Sequence, residues 1–438
     1  MDLIKLGANE ALKMMEEGTL SSEEYTKAFL RQIELREDQV GAWIFLDPKL
    51  ALEQAREADK KWKNKNPGKL NGLPIGIKDI IDTKDMPTEN GSHLCKNRQP
   101  SKDAHLVKLL RDEGAVILGK CVTTEFALSG PGKTKNPKDL ECTPGGSSSG
   151  SAAAVSDYMV PLAIGSQTGG SVLRPASFTG ILGFKPTYGT ISRTGMSPIS
   201  QRLDHPGIYA NCVEDIDLVA SVILSYDHDD LDMIPNYQYK KTVNLNNSIK
   251  FGFVKGPVWD YGDEDMQHGI EEFVKNTSLD VEELNLGKDF IDAAKSHEII
   301  MNGSIAKSLI RYYQADKSKL HPFTVNRIEA GIPVSASDYI SAIEKAKRME
   351  HILRQLFSKY DAIITPAAPG QAPRDLMNTG NAIFNGYWTM MGVPAITLPF
   401  LKGKDNLPIG IQFIADWSED LKLLEMCKYI LKKEKLAD

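Results

Sequence analysis

Residues 145–176 read GGSSSGSAAAVSDYMVPLAIGSQTGGSVLRPA. The opening Gly145-Gly-Ser-Ser-Ser-Gly150 has the composition of a flexible linker. It nevertheless runs directly into Ala152-Ala-Ala-Val155, which suits a packed helix, and a second small-residue turn follows at Gly169-Gly-Ser171. Two such turns bracketing an apolar stretch imply backbone brought close to something. Glycine permits unusual φ values and close approach, so successive N–H groups can converge on one anion. A nest of this kind around Ser171 would suit the oxyanion of an acyl transfer. A rival serine lies in the same stretch. Gly146-Ser-Ser148-Ser-Gly150 matches GxSxG, the nucleophile elbow of α/β-hydrolases, but that elbow needs a strand before it, and Leu140-Glu-Cys-Thr-Pro144 is a poor one.

Outward from this segment, apolar runs alternate with helical periodicity. Upstream, Leu73–Asp79 reads as a short strand, Asp103–Glu113 as a helix stopped by Gly114, and Ala115–Leu118 as a buried strand. Downstream, strands are expected at Phe251–Val254, Val281–Leu284 and Ala362–Thr365. Helices are expected over Asp265–Lys275 and about Asp338 to Tyr360. Ala395–Phe400 and Ile409–Ile414 flank a Gly403–Asn406 turn and read as adjacent strands. The first 65 residues read as helices. Ser21 and Glu24 form a capping box, Tyr25, Phe29 and Ile33 make one apolar stripe, and a third helix from about Pro48 to Lys65 stops at Pro67-Gly68. Lysines 60, 61, 63 and 65 in its tail suit a helix C-terminus better than a nucleic-acid patch. The fold class is therefore α/β: one large domain with a mixed β-sheet sandwiched between helices. Within residues 1–438 the expected parts are N-terminal helices (1–65), a catalytic core (66–225), a variable substrate-side region (226–340), and a C-terminal helix with strands completing the sheet (341–438).

Composition narrows the function classes. The 438 residues are 41% hydrophobic and 25% charged, ordinary for a globular protein able to bury a large core without disulfide or metal staples. With 52 basic against 58 acidic residues, net −6, no whole-protein attraction to nucleic acid or anionic membrane is expected. Five scattered cysteines without a CxxC pair fit reduced thiols. The N-terminus lacks the pattern of a signal peptide, and no apolar run approaches a membrane span, so a soluble cytoplasmic protein is expected. Several motifs fail on inspection. Gly130-Pro-Gly-Lys-Thr134 lacks the earlier glycine of a phosphate loop, since Ala127 stands there. Asp227–Asp232 and Asp263–Asp265 lack the turn glycine of a calcium loop. His297-Glu298 is not followed by the second histidine of a zinc protease. No metal is expected.

The whole pattern closely resembles the amidase signature family, from about residue 20 to 430, with 225–340 the least familiar stretch. Besides the Gly/Ser segment, the resemblance rests on Gly72-Leu-Pro-Ile-Gly-Ile-Lys78-Asp79, Gly114-Ala-Val-Ile-Leu-Gly-Lys120, Gly183-Phe-Lys-Pro-Thr187 and Asp361-Ala-Ile-Ile-Thr-Pro366. It continues through Phe384-Asn385, Trp388-Thr389, Gly392-Val-Pro394 and Leu407-Pro-Ile-Gly-Ile-Gln412. It implies a Ser–cis-Ser–Lys triad in which Ser171 is the nucleophile, Ser147 the bridging serine and Lys78 the base. It also implies an oxyanion hole from the backbone N–H groups of Thr168, Gly169, Gly170 and Ser171. No cofactor is implied. A lysine serves as base only when neutral, which requires burial or electrostatic pressure. Leu73, Ile75, Ile77, Ile80 and Ile81 would supply that desolvation. Judged apart from the resemblance, Lys78 would pair with Asp79 at the surface.

The sequence departs from the family at two places. Gln167 stands where an acidic residue is common, and Leu173 where an arginine is common, with Arg174 one place later. Both charges are missing together, so no uncompensated buried charge is expected, and a subtype with altered support behind the oxyanion turn is implied. The resemblance implies hydrolysis of a small-molecule amide to a carboxylate plus ammonia or an amine. An alternative is the glutaminase (A) subunit of a glutamyl-tRNA amidotransferase, the one reading that would bring in nucleic acid. Its usual text, Asp-Thr-Gly-Gly-Ser-Ile-Arg-Gln-Pro, differs at Gln167, Leu173 and Arg174, and the chain looks somewhat short for it. A catalytically inactive scaffold predicts loss of Lys78, Ser147 or Ser171, and all three are present. A homodimer is compatible with the family. The pocket is expected between the Ser129–Gly132 loop and segments near 300–330 and 375–390. Ile300, Met301, Phe323, Phe384 and Trp388 belong either to the core, the first choice, or to a wall suited to an apolar acyl group.

Overall fold

The computed structural model describes residues 2–128, 130–237, 239, 245 and 249–434. The apolar runs become strands of one sheet. In chain order these are β1 (Trp43–Leu46), β2 (Pro74–Lys78), β3 (Val116–Cys121), β4 (Leu162–Gln167), β5 (Leu182–Lys185), β6 (His205–Ala210), β7 (Lys250–Val254), β8 (Asp280–Leu284), β9 (Ala362–Pro366), β10 (Ala395–Lys402) and β11 (Pro408–Ile414). Across the sheet the order is β1-β3-β2-β4-β6-β5-β10-β11-β9-β7-β8. Pairing is mixed: β2 runs parallel to β3 and β4, and β7 to β8 and β9, while the pairs from β4 through to β9 by way of β10 are antiparallel.

Every residue of β2, β3, β4, β5 and β6 is buried, which requires cover on both faces of the sheet. Helices supply it. Ser149–Ser156 lies on β2, β3, β4 and β6, Leu173–Thr179 lies on β5, β10 and β11, and Val213–Ile223 packs on β6. The Ser149–Ser156 helix is buried along its whole length because its side chains are small. A Cβ on Gly150 would collide with the Ala42 carbonyl oxygen and the Val122 amide nitrogen, so only glycine lets this helix seat.

The N-terminal segment is not all helix. Between helices Ser22–Val40 and Pro48–Lys63, Trp43–Leu46 adds an edge strand antiparallel to β3. Four residues between two strong helical patterns leave no period to read, and the pairing is supplied by β3. The capping box forms in full: Ser21 Oγ accepts from the Glu24 amide at 3.1 Å, and Glu24 accepts from the Ser21 amide at 2.9 Å. Ser129, expected in a wall of the pocket, lies outside the described residues.

Candidate active site

Parallel pairing of β2 with β4 aligns their carboxyl ends, with Ile77 opposite Ile164. Lys78 therefore ends its strand beside Ser166, and β4 runs directly on into Thr168–Ser171. Lys78 is fully buried (0% exposed), with Leu73, Ile75, Ile77, Ile80 and Ile81 all buried around this segment. Desolvation holds its amine well below the ordinary lysine value, opposed by the charge of buried Asp204. It forms no pair with Asp79. That carboxylate instead accepts from the Glu89 amide and lies 3.5 Å from buried Lys120. Burial pushes the Asp79 carboxyl up and the Lys120 ammonium down, and their mutual attraction opposes both shifts.

Three serine hydroxyls surround the Lys78 amine: Ser147 at 2.7 Å, Ser166 at 2.8 Å and Ser148 at 2.9 Å. The Gly146–Ser147 peptide is cis. Ser148 Oγ donates to the Ser166 carbonyl at 3.0 Å and accepts from the Ser166 amide at 3.1 Å. Its hydrogen is therefore committed, its side chain is buried, and no strand precedes it, which removes the elbow arrangement for Ser148. Ser171 is half-buried on the cleft floor. Among the described residues its hydroxyl makes no hydrogen bond, to Ser147 or to any other group. The structure thus joins Lys78 to Ser147 directly and leaves Ser171 free.

The turn Thr168–Ser171 is anchored through its carbonyls. His297 Nε2 lies 3.0 Å from the Thr168 oxygen, Thr389 Oγ1 donates to the Gly169 oxygen at 2.6 Å, and the Arg174 amide donates to the Gly170 oxygen at 3.0 Å. Burial lowers His297 to about 4, so its ring is neutral, and the Nε2–H tautomer donates to Thr168. Thr168 Oγ1 also donates to Asp204 at 2.6 Å. With the carbonyls held behind, the N–H groups of Gly169, Gly170 and Ser171 have no acceptor among the described residues, and all three residues line the cleft. Such an arrangement can stabilise a developing oxyanion.

Gln167 braces this turn without a charge. Its Oε1 accepts from the amides of Val172 (2.8 Å) and Leu173 (3.0 Å), and its Nε2 donates to Thr389 at 2.9 Å. The expectation that no buried charge stands alone is overturned. Arg174 is 5% exposed, burial pulls its guanidinium down to about 10, and no carboxylate acts on it. Arg174 lines the cleft.

The cleft holds about 840 Å³. Of the apolar residues weighed for its walls, most keep their first reading as core. Met301 contributes, but Ile300, Phe384 and Trp388 are core, and Phe323 is exposed elsewhere. Other apolar residues, among them Leu128, Val258, Ile291 and Ile383, line it together with the charged Arg174, Lys295, Glu298 and Arg327. Asp204, His297, Ser166 and Arg174 had no role from the sequence. His297 was legible only as a histidine lacking a metal motif, and Asp204 carried no signal.

Known proteins share both the sequence pattern and the fold. Residues 24–424 match the model of the family described as Amidase. The A subunit of the glutamyl-tRNA(Gln) amidotransferase of Clostridium botulinum is 33% identical over 96% of this chain and 95% of its own length, so length does not set the two apart. A peptide amidase from Stenotrophomonas maltophilia superposes with TM-score 0.83 at 26% identity, covering 99% of this chain and 98% of its own. The corresponding A subunit from Thermotoga maritima superposes with TM-score 0.82 at 28% identity, covering 100% and 97%.

Proposed function

The chain belongs to the amidase family, and from that premise we propose that it hydrolyses a carboxamide through an acyl-enzyme on Ser171, with Ser147 and Lys78 relaying the proton. The observation that carries this reading is the fully buried Lys78 amine ringed by three hydroxyls. A neutral amine has two N–H donors and one lone pair. Ser148 has given its hydrogen to the Ser166 carbonyl, so it can only accept from Lys78. When Ser166 takes the second N–H, the lone pair can receive the Ser147 hydrogen.

Ser171 Oγ attacks the amide carbon, its proton passes to Ser147, and the Ser147 proton passes to Lys78. The oxyanion settles against the N–H groups of the Gly169–Ser171 turn. The C–N bond then breaks, Ser147 protonates the departing nitrogen, and Lys78 restores the proton to Ser147. Water repeats the sequence on the ester, releasing the carboxylate. The Ser147–Ser171 hydrogen bond forms as substrate fills the cleft, since catalytic hydrogen bonds commonly tighten only in the complex.

Purified chain incubated without partners with a panel of primary amides is expected to release ammonia, and Ser171→Ala to abolish the release. Ammonia production surviving Ser171→Ala overturns the assignment. The curated relatives support a second reading, a glutaminase subunit that works with partners. It predicts that the isolated chain releases no ammonia from any amide, glutamine included.

A further inference from the structure

Resting on the reading of the cleft as an amidase site, we propose that His297 is a positioning residue for the reaction: by holding the Thr168 carbonyl it aims the Gly169 N–H at the developing oxyanion. A trans peptide is planar, with its C=O and N–H pointing in opposite directions. The Thr168–Gly169 bond is trans, so the Thr168 oxygen and the Gly169 hydrogen turn together. His297 Nε2 lies 3.0 Å from that oxygen, and the N–H on the opposite side has no acceptor among the described residues. Glycine rotates freely about its backbone bonds, so the plane needs an outside hold. Among the described residues His297 is the only side chain that meets the Thr168 carbonyl. The next two carbonyls are held by Thr389 and by the Arg174 amide, and His297 completes the set.

The ring is itself fixed by contact. A Cβ on Gly386 would lie 2.7 Å from its Nδ1, and one on Gly169 would lie 3.5 Å from its Cε1, so the imidazole is wedged between the helix Ile383–Met391 and the turn. Burial keeps it neutral, lowered to about 4, and its single N–H stays committed to Thr168 through the neutral pH range. Thr168 is held from its other end as well, since its hydroxyl donates to buried Asp204 at 2.6 Å. Losing His297 therefore frees one end of the residue and leaves the other in place. His297 belongs to the first turns of the helix Ala293–Asp316, whose Ala294, Lys295, Glu298 and Met301 line the cleft. A substrate group packed against that face bears on the same helix that aims the turn.

The test compares full-length His297→Leu, which keeps the bulk and loses the donor, with His297→Gln, which keeps an N–H. Two readouts are taken: kcat and KM on the primary amide that the wild type turns over fastest, and the rate at which a fluorophosphonate labels Ser171. His297→Leu is expected to lower kcat and kcat/KM alike, by at least about 10-fold, less than the roughly 10²–10³ of a lost oxyanion donor, with KM little changed. Labelling should slow in step, and the acid limb of the pH profile should stay in place because the base is untouched. His297→Gln should restore most of the loss. Should His297→Leu fail to fold, Gly386→Ala reads the same contact, since its methyl displaces the ring while alanine suits the helix, and the same loss of kcat is expected. An undiminished kcat, a loss confined to KM, or equal losses in the Leu and Gln variants overturns the proposal. Slowed labelling in His297→Leu with no amide hydrolysed by the wild type would sink hydrolysis alone, and hydrolysis undiminished in His297→Leu would sink this role alone.

Discussion

Lys78 carries the chemistry because of where it sits. Desolvation holds its amine well below the ordinary lysine value, which favours the neutral form a base needs. The direction fixes the pH profile: the base works when unprotonated, so kcat/KM should fall tenfold per pH unit as pH drops below the Lys78 value, and plateau above it. Lys78→Arg should fold and lose about 10²–10⁴ of activity, because a guanidinium keeps its proton. Activity retained in Lys78→Arg would exclude lysine as the base. Gln167 gives a second prediction at this scale. Its amide accepts two backbone N–H groups and donates to Thr389, which holds the Gly169 carbonyl. Replacing it with Glu, together with Leu173→Arg, would put a charge on Leu173's fully buried site and take the donor from Thr389. We expect kcat to fall at least about 10-fold, less than the roughly 10²–10³ that losing an oxyanion-hole donor itself costs. A rise in turnover would mean that the natural sequence is impaired.

At the scale of elements, the active site depends on the close seating of the Ser149–Ser156 helix. Gly150→Ala places a methyl against the backbone of Ala42 and Val122, and a collision with backbone relaxes poorly. Destabilisation of about 3 kcal/mol is expected in denaturant titration; a loss within about 0.5 kcal/mol would show that the helix can shift. The same segment shows what a sequence can tell. Pro74–Lys78, Val116–Cys121 and the β10–β11 pair were legible because each is a continuous apolar run bounded by turn residues. Trp43–Leu46 was not, because an edge strand of four residues borrows its order from β3. The positions of Lys78, Ser147 and the Gly169–Ser171 turn came from motif resemblance, whereas the carbonyl anchors His297 and Thr389 are set by contacts across 129 and 220 residues. Arg174 was misread for a related reason: its sequence position resembles a shifted family arginine, and only the packing shows that no acid meets it.

At the scale of the molecule, one sheet binds the two halves of the chain. Strands β1–β6 come from the first 210 residues and β7–β11 from residue 250 onward, and they join where Lys185 of β5 faces Ala395 of β10. A fragment ending near residue 224 would expose the β5 edge that pairs with β10, so it should aggregate or remain unfolded. A soluble, monomeric fragment with a cooperative thermal transition would mean that the halves are separate domains. Among the described residues no helix is long and apolar enough to cross a membrane. The central claim, a serine made nucleophilic by a buried lysine through a second serine, is tested most directly by labelling with a fluorophosphonate, read by intact mass and peptide mapping. The account predicts a single adduct on Ser171 in the wild type and none in Lys78→Ala. An adduct on Ser148, or one on Ser171 that forms equally fast without Lys78, would contradict it.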